Sequence, residues 1–160
     1  MVDITKQSKV IAAVLGVSWS IFQILASTVW TMHLQYQMAV HVSFAIALVF
    51  LSYLNNVKIQ LSLFFAFLAV VTGTYTLLNI EKFINRFAFV DPLTFWDLFF
   101  GIMTLLLLLE ATRRAIGWSL PIISIVFLLY GYYGNYLPGM LYHRGYPIKD
   151  LIEYLYISKS

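Results

Sequence analysis

Apolar residues fill most of the first third of the chain, and one polar stretch interrupts them. No Asp, Glu, Lys or Arg occurs from residue 10 to residue 57, and the polar stretch is HLQYQ at residues 33–37. About 20 consecutive apolar residues suffice for an α-helix to cross a bilayer. The pattern therefore predicts a helical hairpin, with helices over residues 10–32 and about 38–54.

Two further apolar runs flank the longest polar connection of the chain, EKFINRFAFVDP. The first run covers residues 59–80 and follows the turn-forming asparagines of LNNVK. Asp91 followed by Pro92 is a helix-start signal, because Asp caps free amide groups and proline fits a first helical turn. We therefore expect a fourth helix from about Pro92 to Arg114, ended by Gly117.

The last apolar run covers about residues 119–136 and precedes a segment of different periodicity, YPIKDLIEYLYI. Apolar residues recur in this segment at i, i+3, i+4 and i+7, with charged residues between them: Ile148, Leu151, Ile152 and Leu155, separated by Lys149, Asp150 and Glu153. A short amphipathic helix of this kind lies in the plane of the membrane interface. We therefore expect a C-terminal interfacial helix.

The composition is that of a membrane protein. Hydrophobic residues make up 61% of the chain and charged residues 11%, far from the balance of a soluble domain. The lack of cysteine excludes a disulfide framework and a thiolate site, and the net charge of +3 is too small and scattered for nucleic-acid binding. The sequence predicts an all-α integral membrane bundle of about five transmembrane helices and the interfacial amphipathic helix.

Basic residues indicate the orientation, because cytoplasmic loops carry an excess of Lys and Arg. With a cytoplasmic N-terminus, the basic residues before the fifth helix divide five inside against two outside: Lys6, Lys9, Lys58, Arg113 and Arg114 against Lys82 and Arg86. The C-terminal basic residues would then also lie outside and remove this bias if they count: Arg144, Lys149 and Lys159. We expect a multi-pass protein with a cytoplasmic N-terminus.

Charged residues end the longest leucine run, in LLLLLEATRRAIGW. Glu110 precedes Arg113 and Arg114 by three and four positions, so their charges offset each other on one helix face. Arginines at a helix C-terminus favour its dipole and reach head-group phosphates, and Trp118 adds an interfacial ring. We interpret the four residues as a membrane boundary, and the alternative is a proton or ion relay through Glu110.

The histidines are the candidates for proton transfer or haem ligation. His33 and His41 flank one short turn and His143 follows the fifth apolar run, while Asp97 and Glu110 lie near opposite ends of one helix. We therefore expect histidines bonded to water or backbone, and no catalytic residue, metal or cofactor. The alternative function is a stand-alone membrane enzyme or haem-binding redox subunit that uses His33, His41 or Glu110.

Small residues on the first helix point to packing and not to chemistry. Ala12, Gly16 and Ser20 form a small-xxx-small row, which lets another helix approach closely. Transport and catalysis in membranes usually need charged or strongly polar binding groups at depth, and these runs place no charged residue at mid-membrane depth. The sequence favours a scaffold or partner subunit over an enzyme.

The second half of the chain resembles a known family. Residues 108–156 contain an acidic residue, Ala-x-Arg-Arg-x-x-Gly-Trp-x-Leu-Pro, an aromatic-glycine stretch, Leu-Pro-Gly and His-Arg-Gly. In this they are similar to the segment before the large transport domain in fused permeases of tripartite ATP-independent periplasmic (TRAP) transporters of the TAXI type. The part of the chain before residue 108 also resembles this family. The family's first helices are similar to SIFQI and HVSFAIALVFLSY, and its Arg…Asp connection is similar to Arg86 with Asp97.

The resemblance implies a membrane component of an importer that a sodium or proton gradient drives. In that family the substrate and ion sites belong to a large elevator-type domain, which a small four-helix domain braces. The resemblance thus divides the chain into a four-helix small membrane domain, residues 1–116, and a connector or first large-domain helix with the interfacial helix, residues 117–160. A natural split subunit and a piece of a fused permease are both open.

The resemblance also implies partners, namely a large TRAP permease subunit or domain, a periplasmic substrate-binding protein and the lipid bilayer of the cytoplasmic (inner) membrane. The polar connection would then face the periplasm. Lys82, Arg86 and Asp91 are expected to contact the binding protein there. A solvated loop is the alternative for these three residues.

Overall fold

A computed structural model describes residues 4–29, 34–53, 59–87 and 89–157. Within these residues the secondary structure is helical, and the α-helices are α1 (Ile4–Thr28), α2 (Leu34–Ser52), α3 (Ile59–Leu78), α4 (Ile80–Asn85), α5 (Phe95–Ile116), α6 (Ser119–Tyr133) and α7 (Ile148–Ile152). Short 3-10 turns at Gly134–Tyr136 and Gly139–Leu141 separate α6 from α7. A π-helical turn, Glu153–Ile157, continues α7.

Three of the described helices are long and apolar enough to cross a membrane. They are α2, α3 and α5, with 19, 20 and 22 residues, which agrees with the predicted class of a helical membrane protein. α1 contributes a shorter apolar stretch, Ala13–Thr28. α6 has 15 residues, or about 22 Å at 1.5 Å per residue. The predicted spans at α1 and α6 stay predictions.

The chain forms two compact units, Met1–Ile84 and Asn85–Ser160. The sequence resemblance divides the chain after residue 116, between a small membrane domain and a connector, according to the expected functions of the two parts. That division stays a prediction. In the first unit, α2 and α3 pack most extensively. The face of α3 toward α2 carries the buried small residues Ala66, Ala69 and Gly73. A Cβ at Gly73 would lie 2.1 Å from Ser43 Oγ on α2, so this approach requires glycine.

The predicted small-residue row on α1 does not pack within the described part of the chain. The side chain of Ala12 lies outside the described residues. A Cβ at Gly16 would meet no atom within 4 Å, and the exposed Ser20 hydroxyl donates to the Gly16 carbonyl over 2.9 Å. The small residues that bring two described helices together are those of α3.

In the second unit, α5 begins later than the sequence predicts. Thr94 is the N-cap and forms a capping box with Asp97, whose Oδ2 accepts from the Thr94 N–H over 2.9 Å. The expected cap at Asp91 and Pro92 was therefore wrong, since the Asp91 carboxylate is bonded elsewhere. Gly117, with φ of 95°, ends the helix as expected.

The C-terminal segment of the second unit packs on α5 and α6. A Cβ at Gly101 of α5 would lie 2.8 Å from Ile152 Cγ2, and one at Gly131 of α6 would lie 3.3 Å from Leu151 Cδ2. Ile148 and Leu155 are exposed. Two members of the expected apolar face therefore contact protein, and the location of this segment in a membrane interface stays a prediction.

Candidate functional site

A buried ion pair joins Arg86, which lies before α5, to Glu153 in the C-terminal segment, and both residues belong to the second unit. Arg86 Nη2 lies 3.2 Å from Glu153 Oε1, and each side chain is only 6% exposed. A buried charge is stable only when it is paired and hydrogen-bonded. The pair therefore holds the connection and the π-helical turn together.

Glu153 also fixes the backbone of the connection. The Phe89 N–H donates to Glu153 Oε1 over 2.6 Å. Phe89 has φ of 61° and is the one non-glycine residue of positive φ among the described residues. The left-handed conformation is unfavourable for a bulky side chain, so the hydrogen bond to the carboxylate stabilises a conformation that Phe89 would otherwise leave.

Asp91 closes the base of the same turn. Its Oδ2 accepts from the Phe87 N–H over 2.7 Å, and its carbonyl accepts from Arg86 Nη2. The N–H groups of Val90 and Asp91 both donate to the Phe87 carbonyl. Arg86 Nη1 is buried without a hydrogen-bond partner among the described residues. The polar groups of Arg86 and Asp91 are thus directed inward.

Apolar side chains form the outer surface of this turn. Phe87, Phe89 and Val90 are 74%, 57% and 77% exposed. We call these three residues the apolar tip. A cluster of exposed apolar side chains on an ordered turn is typical of a surface that contacts lipid or another protein.

The expected contact residues therefore have different environments. Arg86 is neither exposed nor solvated, so the solvated-loop alternative was wrong for it. Asp91 is half-buried in the turn, and Lys82 is exposed on α4 with its Nζ 5.7 Å from the Phe83 ring centroid. Contact of these residues with a binding protein stays a prediction. Sequence reasoning missed Glu153, which it assigned to the polar face of an amphipathic helix.

The charged residues at the end of α5 are paired as the sequence predicts. Arg113 donates to both Glu110 oxygens, at 2.7 and 2.8 Å, and Arg114 Nε donates to Glu110 Oε1 at 2.8 Å. The Arg113 guanidinium lies 5.2 Å from the Trp118 ring centroid, within range of a cation–π contact. The role of the four residues at a membrane boundary stays a prediction.

The described histidines are held by neighbouring groups. His41 Nδ1 lies 2.8 Å from Gln23 Nε2, so this ring nitrogen is bonded to a side chain. His143 is bonded to backbone as expected, with Nε2 3.1 Å from the Tyr130 carbonyl. His33 lies outside the described residues. Among the residues described, no three His, Cys, Asp or Glu side chains cluster to hold a metal ion.

The chain matches no protein-family model, no curated protein and no solved structure.

Proposed function

We propose that this chain is the small membrane component of a TRAP-type, ion-gradient-driven solute importer of the TAXI kind. In this role it braces the large transport domain. The proposal rests on the resemblance of residues 108–156 and on the distribution of polar groups in the helices. It makes the chain a scaffold and not an enzyme.

The observation that carries a scaffold role is the local bonding of the hydroxyl groups within the candidate spans. Several donate to carbonyls of their own helix one turn earlier: Ser43 to Ala39, Thr74 to Val70, Thr104 to Phe100 and Thr112 to Leu108. Hydroxyls bonded in this way have no hydrogen left to donate to a solute. Large apolar side chains are meanwhile exposed on α5 and α6, Phe99, Leu106, Ile122 and Phe127 among them, as expected for surfaces that contact lipid or a partner's helices.

The connection before α5 is the part of the chain that we assign to the periplasmic binding protein. Because Arg86 is committed to Glu153, the contact surface that we assign to this part of the second unit is the apolar tip. An ordered turn presents this surface without the entropic cost of ordering a flexible loop on binding.

Reconstitution tests the proposed function. Proteoliposomes that contain the large permease component, the binding protein and an imposed ion gradient should take up solute only when this chain is also present. Equal uptake without the chain contradicts the scaffold role. Uptake by the chain in the absence of the large component contradicts it as well.

A further inference from the structure

The loop that follows α6 folds back over the C-terminal end of that helix. The Tyr146 N–H donates to the Gly131 carbonyl over 2.9 Å, and the His143 N–H donates to the Gly134 carbonyl over 3.1 Å. The last carbonyls of a helix have no partner within the helix, so these bonds satisfy acceptors at the end of α6. They also fix the loop against the helix.

The His143 ring fixes the same loop from the inside. Its Nδ1 accepts from the Gly145 N–H over 3.1 Å, which leaves the hydrogen on Nε2 to be donated to the Tyr130 carbonyl. A Cβ at Gly134 would lie 2.0 Å from the ring. Gly145 has φ of 70°, which favours glycine. Arg144, between His143 and Gly145, is thus attached to a rigid segment.

This arrangement produces a polar pocket of about 280 Å³ next to Arg144. Aromatic and amide side chains line it together with the guanidinium: Tyr132, Tyr133, Tyr136, Tyr146 and Asn135. No carboxylate is among its lining residues. Within residues 89–157, Arg144 forms no hydrogen bond or ion pair, in contrast to Arg86, Arg113 and Arg114. The pocket thus combines an uncompensated positive charge with hydroxyl and amide donors, which is the chemistry of an anion site.

The position of the pocket identifies the anion. α6 exposes Ile122, Val126, Phe127 and Leu129, and the tyrosines follow directly at its C-terminal end. An apolar helix that ends in tyrosines and an arginine is typical of the boundary between acyl chains and head groups. The anions concentrated at that depth are lipid phosphates.

We propose that this pocket binds the phosphate group of an anionic phospholipid. The Arg144 guanidinium pairs with the phosphate oxygens, and tyrosine hydroxyls and the Asn135 amide supply further donors. The acyl chains lie along the exposed apolar side chains of α6. An anionic head group is preferred over a choline head group, because Arg144 repels a cation and no carboxylate of the pocket compensates it. Free phosphate offers the same oxygens but has no acyl chains to bind α6.

Native mass spectrometry of the detergent-purified chain tests this site with added phosphatidylglycerol or phosphatidylcholine. Arg144→Gln should lower phosphatidylglycerol retention about tenfold, as expected for the loss of a charge-assisted pair. Lys149→Gln is the matched control, since it removes the same charge from an exposed residue outside the pocket lining, and it should change retention less than about twofold. Arg144→Lys should keep part of the retention, because it keeps the charge but not the planar fork.

Two results would overturn the proposal. One is equal retention by Arg144→Gln and Lys149→Gln. The other is displacement of phosphatidylglycerol by millimolar inorganic phosphate, which assigns the pocket to a soluble anion. Helical circular dichroism and the elution volume of each variant confirm that it remains folded, as expected for replacement of an exposed, unpaired side chain.

Discussion

Arg86 and Glu153 form a buried ion pair, Nη2 to Oε1 3.2 Å, and the same carboxylate oxygen accepts the N–H of Phe89. One carboxylate thereby neutralises the arginine and holds the turn that carries the apolar tip. The stability of the second unit and the shape of its exposed surface consequently depend on the same side chain.

Glu153→Gln should destabilise the second unit by about 3–5 kcal/mol, because it leaves the Arg86 guanidinium buried without a counter-charge. The free energy of unfolding in detergent, followed by circular dichroism, measures the effect. Glu81→Gln is the control, since it removes a carboxylate from an exposed position on α4. The double variant Arg86→Met with Glu153→Leu should recover part of the loss, because it removes the buried charge but also removes the acceptor of the Phe89 N–H. Equal stability of Glu153→Gln and Glu81→Gln would show that the pair is not important.

The Phe89→Gly variant should be more stable to unfolding than the Phe87→Gly variant by about 1–2 kcal/mol, because glycine removes the cost of the left-handed backbone at residue 89. Both side chains are more than half exposed, so the two changes remove similar surface. The same unfolding measurement compares them. A Phe89→Gly variant that is the less stable of the two would contradict the cost assigned to the left-handed backbone at residue 89.

Gly73→Ala should destabilise the first unit by about 1–3 kcal/mol, because the added methyl group overlaps Ser43. Gly16→Ala has open space around it and should be neutral or stabilising by up to about 1 kcal/mol, since alanine favours a helix. Combining Gly73→Ala with Ser43→Gly should restore part of the stability. If both single alanine variants unfold at the same temperature, α2 and α3 do not approach each other closely at Gly73 and Ser43.

Replacement of Phe87 and Val90 by serine should weaken binding of the periplasmic binding protein at least fivefold, as expected for loss of buried apolar contacts. Biolayer interferometry with the chain in nanodiscs measures the affinity. Phe127→Ser is the control, because it removes an exposed apolar side chain from α6. An unchanged affinity of the tip variant would remove the apolar tip from the docking surface.

The hydrophobic pattern was sufficient to predict α2, α3 and α5, because helices that are long and apolar enough to cross a membrane are almost free of charge. The predicted start at residue 59 agrees with α3, and Gly117 ends α5 as expected. The cap of α5 was predicted incorrectly because Asp91 and Thr94 are both good capping residues. Which of them caps depends on the other hydrogen bonds of Asp91, and the sequence pattern does not contain them.

The environment of Glu153 was the largest error in the prediction of the candidate site, since its side chain is buried and paired with Arg86. Local periodicity assigns a charged residue between apolar ones to a solvent face, and it gives no information about a partner as distant in sequence as Arg86. Small-residue spacing has a similar limit. Small residues recur at helical spacing around both Gly16 and Gly73, but only Gly73 lies against another described helix. The pairing of Glu110 with Arg113 and Arg114 was predictable because it depends on helical spacing within one element.

The most direct test of the scaffold role is quantitative mass spectrometry of the chain, tagged at its N-terminus and purified in mild detergent from the membranes of its own cells. The proposed function predicts a large TRAP permease component in equimolar amount, as a separate subunit or as a continuation of the same chain, with a periplasmic binding protein retained after cross-linking. Recovery of the chain with neither of these proteins would contradict the account.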